Sequence, residues 1–276
     1  MKLSLGFSPC PNDTFIFDAL VNKKIDTGNI DFNIVLEDVE SLNRMALQDK
    51  LDISKISYGV LPRIIPAYRV LDAGGALGEG VGPILVSASP IDIDTVPDLS
   101  IALPGFHTTA HMLFNLAFPQ AMKKVYMKFS DIEDAVLSGE TNLGVLIHEN
   151  RFTYQQKGLH RVMDLGEYWE LNTQSPIPLG GIVMNRQFDI ELMNTINSLI
   201  RESIEYSRKT YPVLSDFVKQ HSQEMEEDVM RKHIDLYVND YSLSLGSKGR
   251  AAVWQLLDVA SHFIPPPVAG SYEVFI

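Results

Sequence analysis

Cysteine is all but missing from this sequence: Cys10 is the only one in 276 residues. A single thiol excludes a disulfide framework, a CxxC redox pair and cysteine-based zinc spacing, so no structural metal is expected. Cations are scarce too, with 23 lysines and arginines against 35 aspartates and glutamates and a net charge of -12. No basic run occurs, which argues against a nucleic-acid partner, because phosphate binding rests on clustered Lys and Arg. An anionic small molecule stays compatible, since helix N-termini and one or two cations set the field inside a cleft. Long apolar runs are also lacking. None approaches the ~20 residues that span a bilayer, so no membrane insertion is expected. The opening MKLSLGFSPCPNDTF is broken by Pro9 and Pro11 and lacks the apolar core of a signal peptide, which makes the cytoplasm the expected compartment.

What is present is an ordinary globular balance, 45% hydrophobic and 21% charged, enough to bury a core. The length exceeds the roughly 100–150 residues of a common single domain, so two lobes or one large α/β domain are expected. Residues 2–7 read as a strand that the Pro-, Asn- and Asp-containing SPCPND ends, with Asp13 or Thr14 placed to cap the next helix. A strand at 32–36, a helix at 39–48 and a strand at 51–56 follow. Strands at 81–87 and 99–103 come next, and Thr108 and Thr109 stand at the start of an apolar helix over 110–118. A strand at 125–129, a helix at 130–138 and a strand at 143–147 complete strand–helix–strand units that predict two parallel sheets. From residue 188 the pattern turns to amphipathic helices over 190–209, 223–238 and 247–261, with Glu224, Glu226, Glu227 and Asp228 on a solvated face. Pro265 to Pro267 break any further helix, before a closing strand.

Four places carry groups capable of chemistry. Asn12 and Asp13 stand at a strand end, where open α/β sheets bind ligands; Cys10 beside them reads as a packing residue. Ser54, Lys55 and Ser57 offer an ammonium and hydroxyls to an anion, although spacing alone reads Lys55 as solvated. Gly105, Thr108 and Thr109 form a glycine loop leading into a helix N-terminus, a natural anion site; His107 and His111 there lack the acidic partner of a zinc motif. His148 follows an apolar strand, and two roles stay open for it: proton transfer near neutral pH, or a structural bond to a carbonyl. His160, His221, His233 and His262 read as structural.

The strings SPCPNDTF, KISYG at 55–59, GFHTTA at 105–110 and LIHENRFTY at 146–154 run through most of the chain. Together they resemble the 1,4-dihydroxy-6-naphthoate synthase family of menaquinone biosynthesis. The resemblance implies an α/β, type II periplasmic-binding-protein-like fold with two lobes around a central cleft. Residues 1–84 and 183–276 would form one lobe and 85–182 the other, with crossings near 81–87 and 179–185. It further implies a lyase that converts cyclic dehypoxanthine futalosine to 1,4-dihydroxy-6-naphthoate without metal or organic cofactor. His148 would be the proton-abstracting base. Lys55, Ile56 (through its backbone), Ser57, Thr108 and Thr109 would contact substrate, with Asn12, Asp13 and Tyr154 as further candidates. Asn150 stands where the family pattern leads one to expect glycine, so a left-handed turn is expected there. Two other readings compete: a non-catalytic solute-binding protein and the chorismate dehydratase of the same pathway.

Overall fold

The structure, a computed structural model, describes residues 1–222, 226–263 and 272–276. Strand β1 (Lys2–Phe7) leads into helix α1 (Pro11–Val21), then β2 (Asp31–Leu36), α2 (Val39–Ala46) and β3 (Ile53–Ser57). Asp13 and Thr14 do not cap α1. Pro11, with its fixed φ and no N–H to leave unpaired, starts the helix earlier, and Cys10 becomes the N-cap. By contrast, Asp38 caps α2 conventionally, accepting from the backbone N–H groups of Glu40 at 2.9 Å and Ser41 at 3.1 Å. The short helix α3 (Leu61–Ile64) and strands β4 (Tyr68–Val70) and β5 (Ala76–Gly78), which sequence patterning did not reveal, come before the first crossing.

The next segment contains β6 (Ile84–Ser87), β7 (Ile101–Leu103), α4 (Thr109–Ala117), β8 (Lys124–Tyr126), α5 (Ile132–Leu137), β9 (Leu143–Leu146), α6 (Asn150–Thr153), β10 (His160–Asp164) and α7 (Leu165–Thr173). Strand β11 (Ile177–Asn185) and helices α8 (Ile190–Thr210), α9 (Asp216–His221), α10 (Glu227–Tyr237), α11 (Asp240–Leu243) and α12 (Gly246–Ser261) complete the order. Glu224 and Pro265 to Pro267 lie outside the described residues. Beyond them, Phe275 bridges Val70 in parallel, so the expected closing segment does lie on the edge of β4.

The strands form two sheets, one ordered β2-β1-β3-β11-β4 with β5 also on β11, the other β10-β6-β9-β7-β8. Neither is wholly parallel, contrary to the sequence expectation. β11 runs antiparallel to β3, β4 and β5, and β6 antiparallel to β9 and β10, while β1–β2, β1–β3, β7–β8 and β7–β9 are parallel. The physical reason is connectivity: β6 and β11 are entered from the other sheet, so no helix returns the chain in the same direction. Residues 177–182, expected with the second lobe, are part of β11 and lie in the first sheet.

Helix α8 buries Met193, Ile196, Leu199, Ile200 and Ile204, the 3–4 spacing of one helical face, against the first sheet's outer core of Leu3, Leu5, Phe7 and Phe17. Each such side chain contributes about 1.5–3 kcal/mol on burial. Buried Ser203 fixes this helix to α1, its Oγ donating to Ile16 O at 2.6 Å and accepting from Leu20 N at 3.1 Å. A second apolar core continues across both sheets, joining Ile56, Tyr58 and Val183 to Leu85, Leu103 and Leu143. That shared core spans the two sheets. Among the described residues no helix is long and apolar enough to cross a membrane.

Candidate active site

A cavity of about 660 Å³, counting its open mouth, is lined by residues of both sheets. Asn12, Asp13, Lys55, Ile56 and Ser57 reach it from the first sheet, Thr108, Thr109 and His148 from the second. Tyr154 does not. It packs beneath the second sheet with Ile84, Val86, Ile132 and Leu159.

Lys55 is the clearest correction to the sequence reading. It lies inside β3, 5% exposed, and its Nζ sits 3.0 Å from Asp13 Oδ1 while donating to Gly74 O at 3.1 Å. The other Asp13 oxygen accepts from Ser8 Oγ at 2.7 Å and Ser8 N at 3.2 Å, and Asn12 Nδ2 donates to Oδ1 at 2.9 Å. Spacing could not distinguish this buried pair from a solvated lysine, because strand alternation does not reveal which face opens on a cavity. Ile56 lines the cavity from the middle of β3 while its side chain packs in the shared core.

The N-terminus of α4 is bolted across the cavity. Thr108 caps it, accepting from His111 N at 3.2 Å and donating to Gly105 O at 2.8 Å. Thr109 Oγ1 donates to Leu179 O at 2.7 Å and accepts from Gly59 N at 3.0 Å, tying α4 to β11 and to the turn after β3. Two residues of α2 make further ties. Glu40 Oε2 accepts from His107 N at 3.0 Å, and Asn43 accepts from Ser57 N at 2.9 Å while its Nδ2 faces Ser57 Oγ at 3.2 Å and His107 O at 3.4 Å. Sequence reasoning missed Glu40 and Asn43; three apart on an amphipathic helix, they carry the pattern of an ordinary polar face. Gly59 is needed for closeness: a Cβ there would lie 2.7 Å from Thr108 O. His111 faces a separate hollow, bonded to Phe106 O at 2.7 Å, and burial pushes it down to about 4.

His148 comes two residues after the end of β9 and has φ +57°, a left-handed conformation that costs a non-glycine residue about 1–3 kcal/mol. The turn expected at Asn150 thus falls at His148 itself; Asn150 begins α6 and donates to Glu133 Oε2 at 2.6 Å. The imidazole packs edge-on against Phe129 (4.9 Å between centroids) and stacks on His233 at 6.0 Å. Among the described residues neither ring nitrogen has a hydrogen-bond partner, and the residue lines the cavity. Burial lowers its pKa, with Glu149 and Asp13 opposing and Lys55 assisting, which keeps the ring neutral near pH 7.

His233, read from sequence as structural, stands directly behind this group. It is fully buried, both its nitrogens lack partners, and Nε2 lies 3.9 Å from Glu149 Oε2, itself unpartnered. Burial above all holds His233 well below the usual histidine range. Cys10 is buried and its thiol is pushed up chiefly by burial, which makes it a poor nucleophile. The arrangement can therefore accept a proton at a neutral, unbonded imidazole, hold a planar apolar body against walls such as Val39, Ile147 and Leu179, and offer helix N–H groups to an anion.

Comparison with known proteins agrees with this geometry. A 1,4-dihydroxy-6-naphthoate synthase of Thermus thermophilus is 41% identical over 254 residues, covering 92% of each chain. One of Streptomyces coelicolor is 38% identical over 264 residues, covering 94% of this chain and 93% of the relative. A crystal structure of an Archaeoglobus fulgidus protein superposes with a TM-score of 0.90 at 31% identity, covering 95% and 97% of the two chains. The periplasmic aliphatic sulphonate binding protein SsuA of Escherichia coli shares the fold, with a TM-score of 0.66 at 12% identity over 96% and 88%. Two sheets joined by crossing strands around one cavity are thus the periplasmic-binding-protein-like fold expected from the sequence. A family model described as menaquinone biosynthesis matches residues 3–262, and the chain belongs to that family.

Proposed function

We propose that this protein is a cytoplasmic 1,4-dihydroxy-6-naphthoate synthase, a carbon–carbon lyase acting on cyclic dehypoxanthine futalosine. The observation that supports it best is convergence: residues from all four motif strings, far apart in sequence, line one cavity, and the neutral imidazole of His148 lines it without a hydrogen-bond partner. His148 takes a carbon-bound proton from the sugar-derived part of the substrate. The electron pair released drives elimination of the sugar remainder, and aromatisation of the new ring makes the step downhill. No organic cofactor takes part.

Thr109 and Ala110 at the start of α4 face the substrate carboxylate, where the helix N-terminus favours an anion by about 0.3–1 kcal/mol before direct bonds are added. Lys55, Ser57 and Asn12 contact its oxygens from the opposite wall. The two sheets are the cores of the two lobes, and the chain passes between them after β5 and before β11. Incubation with cyclic dehypoxanthine futalosine, and separately with chorismate, followed by mass spectrometry of the products, tests the reading. Naphthoate product from the first alone is expected; dehydrated chorismate, or binding without conversion, would refute it.

A further inference from the structure

We infer that Cys10, His148 and Glu149 form a site for a borderline-soft divalent cation of the zinc type, and that its occupation silences His148. One ligand atom from each, a sulfur, an imidazole nitrogen and a carboxylate oxygen, lie within 4.8 Å of one another. Zinc bonds of about 2.0–2.3 Å place tetrahedral ligand atoms roughly 3.3–3.8 Å apart, so side-chain movements of about 1 Å complete the set. Zinc accepts each of these S, N and O donors.

Independent of the cluster's spacing, the pocket is under-satisfied. Glu149 Oε2 and both nitrogens of fully buried His233 have no hydrogen-bond partner, and His233 stacks on His148 at 6.0 Å. A cation on Glu149 and His148 would use the free carboxylate oxygen, and a water on it could accept a hydrogen bond from His233. The neighbouring cations pair with other carboxylates, Lys55 with Asp13 at 3.0 Å and Arg151 with Asp164 at 3.5 Å, so neither forms an ion pair with Glu149. His148 lines the cavity, which supplies the entry path and leaves a fourth position for water. On binding, the S–H proton of Cys10 leaves to solvent and the sulfur–metal bond replaces it, with no change of oxidation state. The imidazole lone pair that would accept a substrate proton is then occupied. Only this effect on turnover rests on the proposed function.

The test uses the purified protein stripped with a chelator and titrated with cobalt(II) or zinc(II) salts alone. Wild type should bind one equivalent of cobalt with a thiolate-to-metal charge-transfer band, and Cys10→Ser should lose that band. Zinc should inhibit naphthoate formation by wild type, while Cys10→Ser keeps its turnover and needs roughly 10–100-fold more zinc, at least the loss seen when groups one step removed from a metal are changed. Cobalt bound without a thiolate band, no cobalt bound, or equal zinc sensitivity in the two proteins would overturn the site. Should circular dichroism show Cys10→Ser unfolded, Cys10→Ala decides by the same readings. The cobalt spectrum reports on the site even if the chain makes no naphthoate, so the two inferences fail separately.

Discussion

Replacing Asp13 with Asn should destabilise the fold by several kcal/mol without removing any large apolar contact. Side-chain exposures of 6% for Lys55 and 3% for Asp13 put both charges out of bulk water. Removing one partner of such a pair leaves an uncompensated buried charge and costs about 3–5 kcal/mol. In Asp13→Asn, Lys55 keeps only neutral partners such as the Gly74 carbonyl at 3.1 Å. For a chain of this size each kcal/mol corresponds to about 2–4 °C in Tm, so the drop should be about 6–20 °C. Thermal unfolding followed by circular dichroism measures it. Lys55→Met alone should fall comparably, because Asp13 is then the stranded charge. The double variant Asp13→Asn, Lys55→Met should recover most of the loss, since swapping a whole buried pair for neutral groups is often near neutral. A Tm for Asp13→Asn within about 2 °C of wild type, or a double variant as unstable as the two losses added, would refute the reasoning.

Thr109→Val should cost about 1–3 kcal/mol for each of the two groups it strands, Gly59 N–H and Leu179 C=O, seen as a lower midpoint in urea. Gly59→Ala should be worse for binding than its one carbon suggests: with Thr108 O 2.7 Å from the new Cβ, α4 must shift, costing about 1–3 kcal/mol of stability, read as a lower Tm, and raising KM. His111 supplies a pH test. Its pKa of about 4 in the fold, against 6.5 unfolded, means the unfolded chain binds a proton that the fold refuses. The stability it contributes is whole above pH 6.5 and is lost as pH falls towards 4, on the order of 3 kcal/mol. His111→Gln should flatten that part of the pH dependence in urea unfolding measured at pH 7 and 4.5; an unchanged slope would contradict it.

Elements with strong periodicity were legible in the sequence: α8 and α12 carry a clean helical stripe, and β1 to β3 with their helices read as crossover units. Strand direction was not legible, because an apolar run such as 143–146 has the same pattern whether its neighbour is parallel or antiparallel. β10 was missed for a related reason: His160 and Arg161 on its exposed half interrupt the apolar signal. At the site, Thr108, Thr109 and His148 were found because each follows a strand end or opens a helix, positions with a chemical signature. Glu40, Asn43 and His233 were not, since their role comes from segments brought against them by the fold. Tyr154 shows the reverse: it was a candidate as part of the string that carries His148, whereas one turn of α6 carries it under the sheet.

The central claim is that a neutral, unbonded His148 is the group that takes the substrate's proton. His148→Asn, compared with wild type by single-turnover naphthoate formation and by calorimetric binding of substrate, tests it most directly. A loss of roughly a hundred- to ten-thousand-fold in rate, with substrate affinity and Tm retained, is the expected result. Naphthoate formation at the wild-type rate in His148→Asn would contradict the account and pass the role to another group in the cavity, Asp13 first.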